Sequence, residues 1–317
     1  MRLLVADIGG TNGRFGLASV DDDSGQVSLT QVRSFLNSEF HDLEALLARY
    51  LSTLEGEVPS AACLAVAGPN DGRAGFMVNL DWQIDASELE KNLPLERIQF
   101  VNDFAALAAS VPQLGAGELL SLHAAEAGSG CIAVIGPGTG LGVAALVPGS
   151  PRQVLATEGG HMSWAPADAR ERELADYLRS SVEYLCVETV LSGLGLVRIV
   201  EFLCAGAGSS PAHSNPAQIT ELAVQNTDAH CVEAVQIFLS VLGGVSGDIV
   251  LAQGATGGIY FGGGILPRIA PLIADSELLN RLQAKGPLTR YMENIPVHLI
   301  TADNPALTGA AVLFCYS

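Results

Sequence analysis

The chain has 317 residues, of which 49% are hydrophobic and 6% aromatic, a composition typical of a globular α/β protein large enough for two domains. Its formal net charge is −18, with only 16 Lys and Arg residues and no basic cluster. Because nucleic-acid binding depends on basic side chains that neutralise phosphates, we expect no nucleic-acid partner.

Six cysteines are scattered along the chain, and none forms a C-x-x-C pair. This usage favours reduced core residues in a cytoplasmic protein. The apolar residues before Asp7 are too few for a signal peptide, and the apolar region 241–266 is interrupted by Asp248, Gln253 and several glycines. We therefore expect a cytoplasmic location and no membrane partner.

A glycine turn lies between two apolar runs at the start of the chain. Residues 3–5 and 15–18 predict the two strands of a hairpin. The turn between them contains small and polar residues, namely Gly9, Gly10, Thr11 and Asn12. Successive backbone N–H groups in such a turn form a concave anion site, so it is a candidate phosphate site. A plain hairpin turn is the alternative interpretation.

Asp7 lies directly before this turn. A carboxylate beside a phosphate site requires a cation between the two, and Mg²⁺ held through water is the usual one. Asp7 is therefore a candidate residue for positioning Mg²⁺. The alternative is that its side chain only caps the turn.

The next segments predict further elements of an α/β domain. Residues 27–32 read as a third strand, residues 40–51 carry apolar side chains at helical spacing, and residues 61–67 read as a buried strand. A short strand at 76–82 would carry Asn79 and Trp82 towards a ligand, although Trp82 is as well explained as a packing residue.

Asn102 and Asp103 lie where a predicted strand meets a predicted helix. Polar side chains at such a corner can project into a crevice at the carboxyl end of the strand. Both residue types are also favoured as helix N-caps, which is the alternative interpretation.

Residues 132–147 repeat the pattern of the first hairpin. Apolar runs at 132–135 and 143–147 flank a turn that contains Gly138, Thr139 and Gly140. Two such units more than a hundred residues apart indicate two similar halves, with a polyphosphate between their turns.

Glu158 and His161 flank two glycines that would let a ligand approach the backbone. A carboxylate and an imidazole at this spacing can bind neighbouring hydroxyl groups of a sugar. Solvated loop residues are the alternative.

The last part of the chain predicts a buried helix at 232–251, with Gly243 and Gly244 allowing close helix packing. A strand at 259–261 leads into a third glycine cluster at 262–264, which suits a nucleoside lying against the backbone. A strand at 297–301 and a closing helix at 306–313 follow.

The stretches Asp7–Asn12, Gly138–Gly142 and Gly262–Gly264, in this order, resemble the two phosphate motifs and the adenosine motif of the sugar kinase and actin superfamily. Within it, residues 3–313 resemble bacterial ATP-dependent glucokinases of the hexokinase-like branch. The resemblance implies a two-domain α/β, ribonuclease H-like fold with the active site in the interdomain cleft. The small domain would comprise residues 1–112 plus 302–317, and the large domain residues 113–301.

The resemblance also implies roles for individual residues. Asp103 would be the catalytic base, and Glu188, a residue that an exposed helix position explains equally well, would join the sugar site. The sugar ligands would be Asn102, Asp103, Glu158, His161 and Glu188. The ATP site would comprise Asp7, Gly9, Gly10, Thr11, Asn12, Gly138, Thr139, Gly140, Gly263 and Gly264, with Mg²⁺ held by Asp7 through water.

The expected reaction is the first step of glycolysis, in which ATP and D-glucose give ADP and glucose 6-phosphate. The resemblance further implies a homodimer. Two alternatives stay open at this point, namely a kinase for another hexose, such as mannose or fructose, and a non-catalytic sugar-binding regulator. The phosphoryl donor is also open, since a glycine turn does not distinguish ATP from ADP or polyphosphate.

Overall fold

The computed structural model describes residues 1–21, 23–77, 79–150 and 152–315. It divides into two compact units. Unit 1 contains Met1–Glu118 and the segment that begins at Ala302, and unit 2 contains Leu119–Thr301. The first division thus falls after residue 118, where the sequence suggested residue 112. Two single-turn helices, Val111–Gln113 and Ala116–Glu118, lie in unit 1, and the Gln113 side chain donates a hydrogen bond to the Gly25 carbonyl (3.2 Å).

The elements follow one another in a mixed order typical of α/β proteins. The strands are β1 (Arg2–Ile8), β2 (Asn12–Val20), β3 (Val27–Leu36), β4 (Ala61–Val66), β5 (Ala74–Met77), β6 (Trp82–Asp85), β7 (Arg97–Asn102), β8 (Leu119–His123), β9 (Ile132–Pro137), β10 (Leu141–Val147), β11 (Gln153–Thr157), β12 (Gly258–Phe261) and β13 (Val297–Ile300). The helices are α1 (Leu43–Leu51), α2 (Ala86–Asn92), α3 (Asp103–Ser110), α4 (Ala169–Arg179), α5 (Gly193–Gly206), α6 (Pro216–Val224), α7 (Ala229–Gln253), α8 (Leu266–Ile273), α9 (Leu278–Gln283), α10 (Thr289–Met292) and α11 (Pro305–Cys315).

Unit 1 is organised around a sheet with the strand order β3-β2-β1-β4-β7. β1 pairs antiparallel with β2 and parallel with β4, which in turn is parallel to β7. Successive side chains of a strand point to opposite faces, and both faces of β1 are buried. Leu4 and Ile8 pack in the cluster that contains α1, whereas Leu3 and Val5 pack in the cluster that contains α11. The predicted hairpin, third strand, helix and buried strand are confirmed.

The predicted single strand at 76–82 is wrong. β5 and β6 form a separate hairpin, in which Met77 lies opposite Trp82, and Val78 lies outside the described residues. Trp82 is 7% exposed and packs in the core of unit 1, in agreement with the packing interpretation.

Helix α11 places the end of the described chain against the helix that follows β7. At Gly309 an added Cβ would overlap the carbonyl oxygen of Ala106 in α3, so only glycine allows this approach of the two helices. Leu307 and Ala310 are fully buried in the same cluster as Ala106. α11 therefore completes one face of the unit 1 sheet and supports α3.

Unit 2 contains a sheet with the strand order β11-β10-β9-β12-β13-β8. β9 pairs antiparallel with β10 and parallel with β12. The local arrangement β10-β9-β12 therefore repeats the arrangement β2-β1-β4 of unit 1. Two similar halves are confirmed at this level.

Helix α7 is the central helix of unit 2. It is long and apolar enough to cross a membrane by length and composition alone, with a mean hydropathy of 1.8, but 67% of its apolar window is buried inside the protein. The predicted buried helix at 232–251 is confirmed, since α7 continues through Gly243, Gly244 and Asp248 as far as Gln253. Gly243 allows close packing as expected, since an added Cβ there would overlap the carbonyl oxygen of Leu278 in α9.

Candidate functional site

The first glycine turn connects β1 to β2 and is held by backbone contacts. The Gly9 N–H donates to the Asn12 carbonyl (3.1 Å), and Thr11 is exposed. Asn37, the residue directly after β3, holds the turn in place: its side-chain amide donates to the Gly9 carbonyl (2.8 Å), and its N–H donates to the Thr11 carbonyl (2.9 Å). Asn37 is 1% exposed and was not identified from the sequence. The turn is therefore fixed before any ligand binds.

Asp7 is the second-last residue of β1 and pairs with Arg14 across the hairpin. One guanidinium nitrogen of Arg14 lies 3.4 Å from the carboxylate, whose side chain is 19% exposed. Burial raises the pKa of Asp7, and the neighbouring Arg14 opposes that rise. A desolvated carboxylate whose cationic neighbour makes one contact of 3.4 Å fits a hydrated Mg²⁺, which needs only one or two carboxylates besides phosphate oxygens.

Asn79 lies beside the first turn. A Cβ added at Gly10 would come within 3.2 Å of the Asn79 Cβ. The sequence singled out Asn79 as a residue directed towards a ligand, and the structure brings it next to Gly10.

Asn102 and Asp103 lie at the junction of β7 and α3, as the sequence indicates. The Asn102 side-chain oxygen accepts a hydrogen bond from the Ala105 N–H (2.9 Å), so Asn102 is the N-cap of α3. One carboxylate oxygen of Asp103 accepts from the Phe104 N–H (2.9 Å). Both side chains are half-buried. The capping interpretation therefore holds for Asn102, and it leaves the amide nitrogen of this side chain for other contacts.

The second glycine turn connects β9 to β10. The Gly138 N–H donates to the Gly140 carbonyl (2.8 Å), and the Gly138 carbonyl accepts from the Gly193 N–H at the start of α5 (2.8 Å). Thr139 at the tip is exposed. The turn is thus held both by its own backbone and by a helix terminus.

Glu188 lies in a single turn of 3-10 helix, Val187–Thr189, and is half-buried. One of its carboxylate oxygens accepts from the Leu141 N–H at 2.7 Å, and a Cβ added at Gly140 would overlap this carboxylate. The alternative of an exposed helix glutamate is therefore wrong. Glu188 is joined to the second glycine turn.

Glu158 and His161 lie at the two ends of a short turn after β11, and both are exposed. The Tyr184 hydroxyl donates to the His161 carbonyl (3.1 Å), and the Cys186 Sγ lies 3.9 Å from the His161 Nδ1. The Val187 N–H donates to the Met162 carbonyl (2.8 Å), which joins this turn to the one that carries Glu188. Unit 2 therefore brings the three predicted sugar ligands of this half onto two connected turns.

The third glycine cluster follows β12 and packs on the end of β9. The Gly262 N–H donates to the Ile135 carbonyl (2.9 Å). Gly263 has φ = +80°, and an added Cβ there would lie 2.5 Å from the Pro137 carbonyl oxygen. At Gly264 an added Cβ would meet no atom of the described residues within 4 Å. The cluster therefore lies beside the second glycine turn, with space next to Gly264.

The candidate residues thus form two groups, each positioned within one unit. Unit 1 contributes the first turn, Asp7, Asn102 and Asp103. Unit 2 contributes the second turn, the three sugar-ligand candidates and the third glycine cluster. Two anion-binding turns with carboxylates and an imidazole are suited to a phosphorylated ligand and a polyhydroxylated one.

Comparisons with known proteins place this arrangement among sugar kinases. A family model described as Glucokinase matches residues 4–316. The glucokinase of Saccharophagus degradans is 38% identical over 310 residues, which cover 97% of this chain and 96% of the relative. The glucokinase of Nitrobacter hamburgensis is 40% identical over 313 residues, covering 98% of this chain and 96% of the relative.

A solved structure shows the same architecture. The crystal structure of a glucokinase from an Antarctic psychrotroph superposes with a TM-score of 0.86 at 36% identity, covering 100% of this chain and 99% of that one. The two-domain fold of sugar kinases with actin-like topology is therefore confirmed for this chain.

Proposed function

The chain belongs to the glucokinase family and is a hexose kinase, and we propose that it transfers the γ-phosphoryl group of ATP to the 6-hydroxyl of D-glucose, giving ADP and glucose 6-phosphate. The observation that carries this proposal is the repeated unit β2-β1-β4 and β10-β9-β12, each with a glycine turn at its hairpin. Two such turns supply the backbone donors that a triphosphate requires.

The sugar site that we propose consists of Asn102, Asp103, Glu158, His161 and Glu188. Carboxylates accept hydrogen bonds from hydroxyl groups, whereas the Asn102 amide nitrogen and the His161 ring donate them. A site built in this way discriminates strongly against sugars that lack a hydroxyl, because its own polar groups would then be left unpaired.

Asp103 acts as the general base in this proposal. A primary hydroxyl is a weak nucleophile, and a carboxylate that accepts its proton during attack on phosphorus accelerates the reaction by roughly 10²- to 10⁴-fold. The position of Asp103 at the first residue of α3 supports the assignment, since the Phe104 N–H fixes one carboxylate oxygen and orients the side chain.

The nucleotide would lie on the three glycine segments. Gly9, Gly10, Thr11 and Asn12 in unit 1 and Gly138, Thr139 and Gly140 in unit 2 would bind the phosphates. Gly263 and Gly264 would lie against the nucleoside, where the space beside Gly264 supports the assignment. When bound through Asp7 and water, Mg²⁺ would neutralise charge on the phosphate oxygens.

The physiological setting belongs to the same proposal. The enzyme would act in the cytoplasm as a homodimer that binds neither nucleic acid nor membranes, and it would supply glycolysis with glucose 6-phosphate. Size-exclusion chromatography with light scattering measures the mass in solution, and a monomer would contradict the homodimer.

A coupled assay of ADP release tests the reaction. Mg-ATP is supplied with glucose, mannose, fructose, galactose or N-acetylglucosamine, beside a control without sugar. We expect glucose-dependent ADP release far above the release with the other sugars, and slow hydrolysis without sugar. Preference for mannose or fructose would overturn the proposed substrate. Nucleotide binding without turnover on any sugar would favour the regulator.

The donor is tested in the same assay by replacing ATP with ADP or polyphosphate and measuring glucose 6-phosphate. We expect product with ATP only. A faster reaction with either replacement would contradict ATP as the donor. Omitting Mg²⁺ should abolish product formation, and undiminished turnover in excess chelator would contradict the metal assignment.

A further inference from the structure

Three side chains of different chemistry converge in unit 2 at the start of α7. His213 comes from the segment that connects α5 to α6, Asp228 is the N-cap of α7, and Cys231 lies in its first turn. One potential ligand atom from each residue lies within 4.8 Å of the others. None of these residues belongs to the sugar or nucleotide groups described above.

The polar atoms of this cluster are only partly used by the protein itself. One Asp228 carboxylate oxygen accepts from the Cys231 N–H (2.9 Å), and the other lies 3.6 Å from the His213 Nε2. The His213 Nδ1 is buried and has no hydrogen-bond partner among the described residues. A metal bound through Nε2 would leave the ring proton on Nδ1, so the observation that points to a metal is the convergence of the imidazole, carboxylate and thiol ligand atoms within 4.8 Å.

We propose that His213, Asp228 and Cys231 form a zinc site. Zinc binds imidazole nitrogen, carboxylate oxygen and thiolate sulfur at about 2.0–2.3 Å, in tetrahedral geometry. Tetrahedral ligands at such bond lengths lie roughly 3.3–3.8 Å from one another, which agrees with the separation of 3.6 Å between the His213 and Asp228 atoms. The Cys231 ligand atom lies within 4.8 Å of the other two, so the three side chains must move closer together to bind one ion.

The charges and exposure of the cluster fit a divalent ion. An ionised carboxylate and a thiolate together balance the two positive charges of zinc. This negative charge offsets the repulsion between the ion and the positive N-terminal end of the α7 dipole. The side chains of His213 and Asp228 are 21% and 29% exposed, so the ion has a path from solvent and water can take the fourth position. Burial raises the pKa of the Cys231 thiol to about 12, so zinc must displace its proton to solvent.

Bound zinc would join three parts of unit 2. The connection that precedes α6 carries His213, the loop after α6 ends at Asp228, and Cys231 is fixed in the core at 0% exposure. Zinc would therefore hold the connection between α5 and α6 against α7. Its role is independent of sugar phosphorylation.

Cobalt is a spectroscopic probe for this site. The full chain is freed of metal with a chelator, titrated with Co²⁺ and followed by absorbance. We expect one Co²⁺ per chain, visible bands of four-coordinate cobalt and a near-ultraviolet thiolate-to-cobalt band, all removed by stoichiometric Zn²⁺. Absence of the thiolate band in the wild-type chain would overturn the proposal.

Matched variants assign the ligands. Cys231→Ser should remove the thiolate band. His213→Gln should weaken Co²⁺ binding by more than the roughly 10- to 100-fold typical of changes to residues that only hydrogen-bond to a ligand. Cys204→Ser is the control, because this buried cysteine lies near His230 (Sγ to Nδ1, 3.6 Å) outside the ligand set, and it should bind like the wild type. A thiolate band that persists in Cys231→Ser, or that disappears in Cys204→Ser, would contradict the site.

Stability gives a second readout if Cys231→Ser does not fold. Zinc should raise the Tm of the wild type and of Cys204→Ser but not that of His213→Gln, whose altered side chain is partly exposed. An equal increase in His213→Gln would overturn the proposal. Glucose phosphorylation by the metal-free chain supplied with Mg²⁺ should stay unchanged, so this proposal and the proposed reaction can fail separately.

Discussion

The Glu188 carboxylate accepts a hydrogen bond of 2.7 Å from the Leu141 N–H, across 47 residues of sequence. A proposed sugar ligand is thereby attached to the turn that we propose for phosphate binding. Sugar and nucleotide binding are therefore expected to depend on the same side chain.

We expect Glu188→Ala to weaken nucleotide binding even when no sugar is present. The lost bond involves a charged acceptor, and such bonds contribute about 1.5–3 kcal/mol, so affinity should fall roughly 10- to 100-fold. Glu188→Gln keeps an acceptor oxygen for Leu141 and should retain most of the nucleotide affinity while losing glucose affinity. Calorimetric titration of each variant with a non-hydrolysable ATP analogue, and separately with glucose, measures the two affinities. Wild-type nucleotide affinity in Glu188→Ala would contradict the coupling.

Asp103→Asn should lower kcat by about 10²- to 10⁴-fold, because an amide cannot accept the hydroxyl proton. The amide oxygen can still accept from the Phe104 N–H, so the KM for glucose should change little. Steady-state kinetics with varied glucose separates the two parameters. A rise in KM with kcat unchanged would show that Asp103 binds sugar without acting as the base.

Asn102 combines a capping role with a proposed binding role, and two substitutions separate them. Asn102→Ala should lower the free energy of unfolding by about 0.5–2 kcal/mol, because the Ala105 N–H loses its acceptor. Asn102→Ser supplies another capping oxygen and should keep the stability, yet it lacks the amide donor and should raise the KM for glucose. Urea denaturation and kinetics of both variants test this, and a KM equal to that of the wild type in Asn102→Ser would remove Asn102 from the sugar site.

Asp7 should lower the stability of the ligand-free protein at neutral pH. Its pKa is raised above 3.8 in the folded state, so the folded chain holds this proton more tightly than the unfolded chain does. The stabilisation from the protonated form is complete below pH 3.8 and is lost as pH rises through the raised pKa. Relative to the wild type, Asp7→Asn should gain stability over that interval and then level off.

Denaturation midpoints of the wild type and Asp7→Asn across a pH series measure this difference in stability. Arg14→Gln, with Asp7 kept, is the control: it removes the cation that opposes the raised pKa of Asp7, so the loss of stability at neutral pH should become larger. The same Asp7→Asn variant should lose Mg²⁺-dependent turnover. A stability difference that does not vary with pH would contradict the interpretation of the raised pKa.

Local features of this protein follow from the sequence, and contacts between distant segments do not. The two hairpins, the β7–α3 corner and the buried helix α7 were recognisable because side-chain periodicity and glycines act over a few residues. Asn37 was missed because its bond to Gly9 spans 28 residues. The pairing of Glu188 with Leu141 was missed for the same reason, and local pattern made Glu188 resemble a helix surface residue.

The position of α11 has a consequence for synthesis of the chain. Residues 119–301 are made between the two parts of unit 1, and at roughly 5–20 residues per second the ribosome needs about 10–40 s to produce them. During that time the sheet face formed by Leu3, Val5 and Cys63 lacks the helix that later covers it. Unit 2 is continuous in sequence, so it can finish folding before unit 1, although its synthesis starts later. Until α11 is made, unit 1 presents an apolar surface that chaperones would recognise.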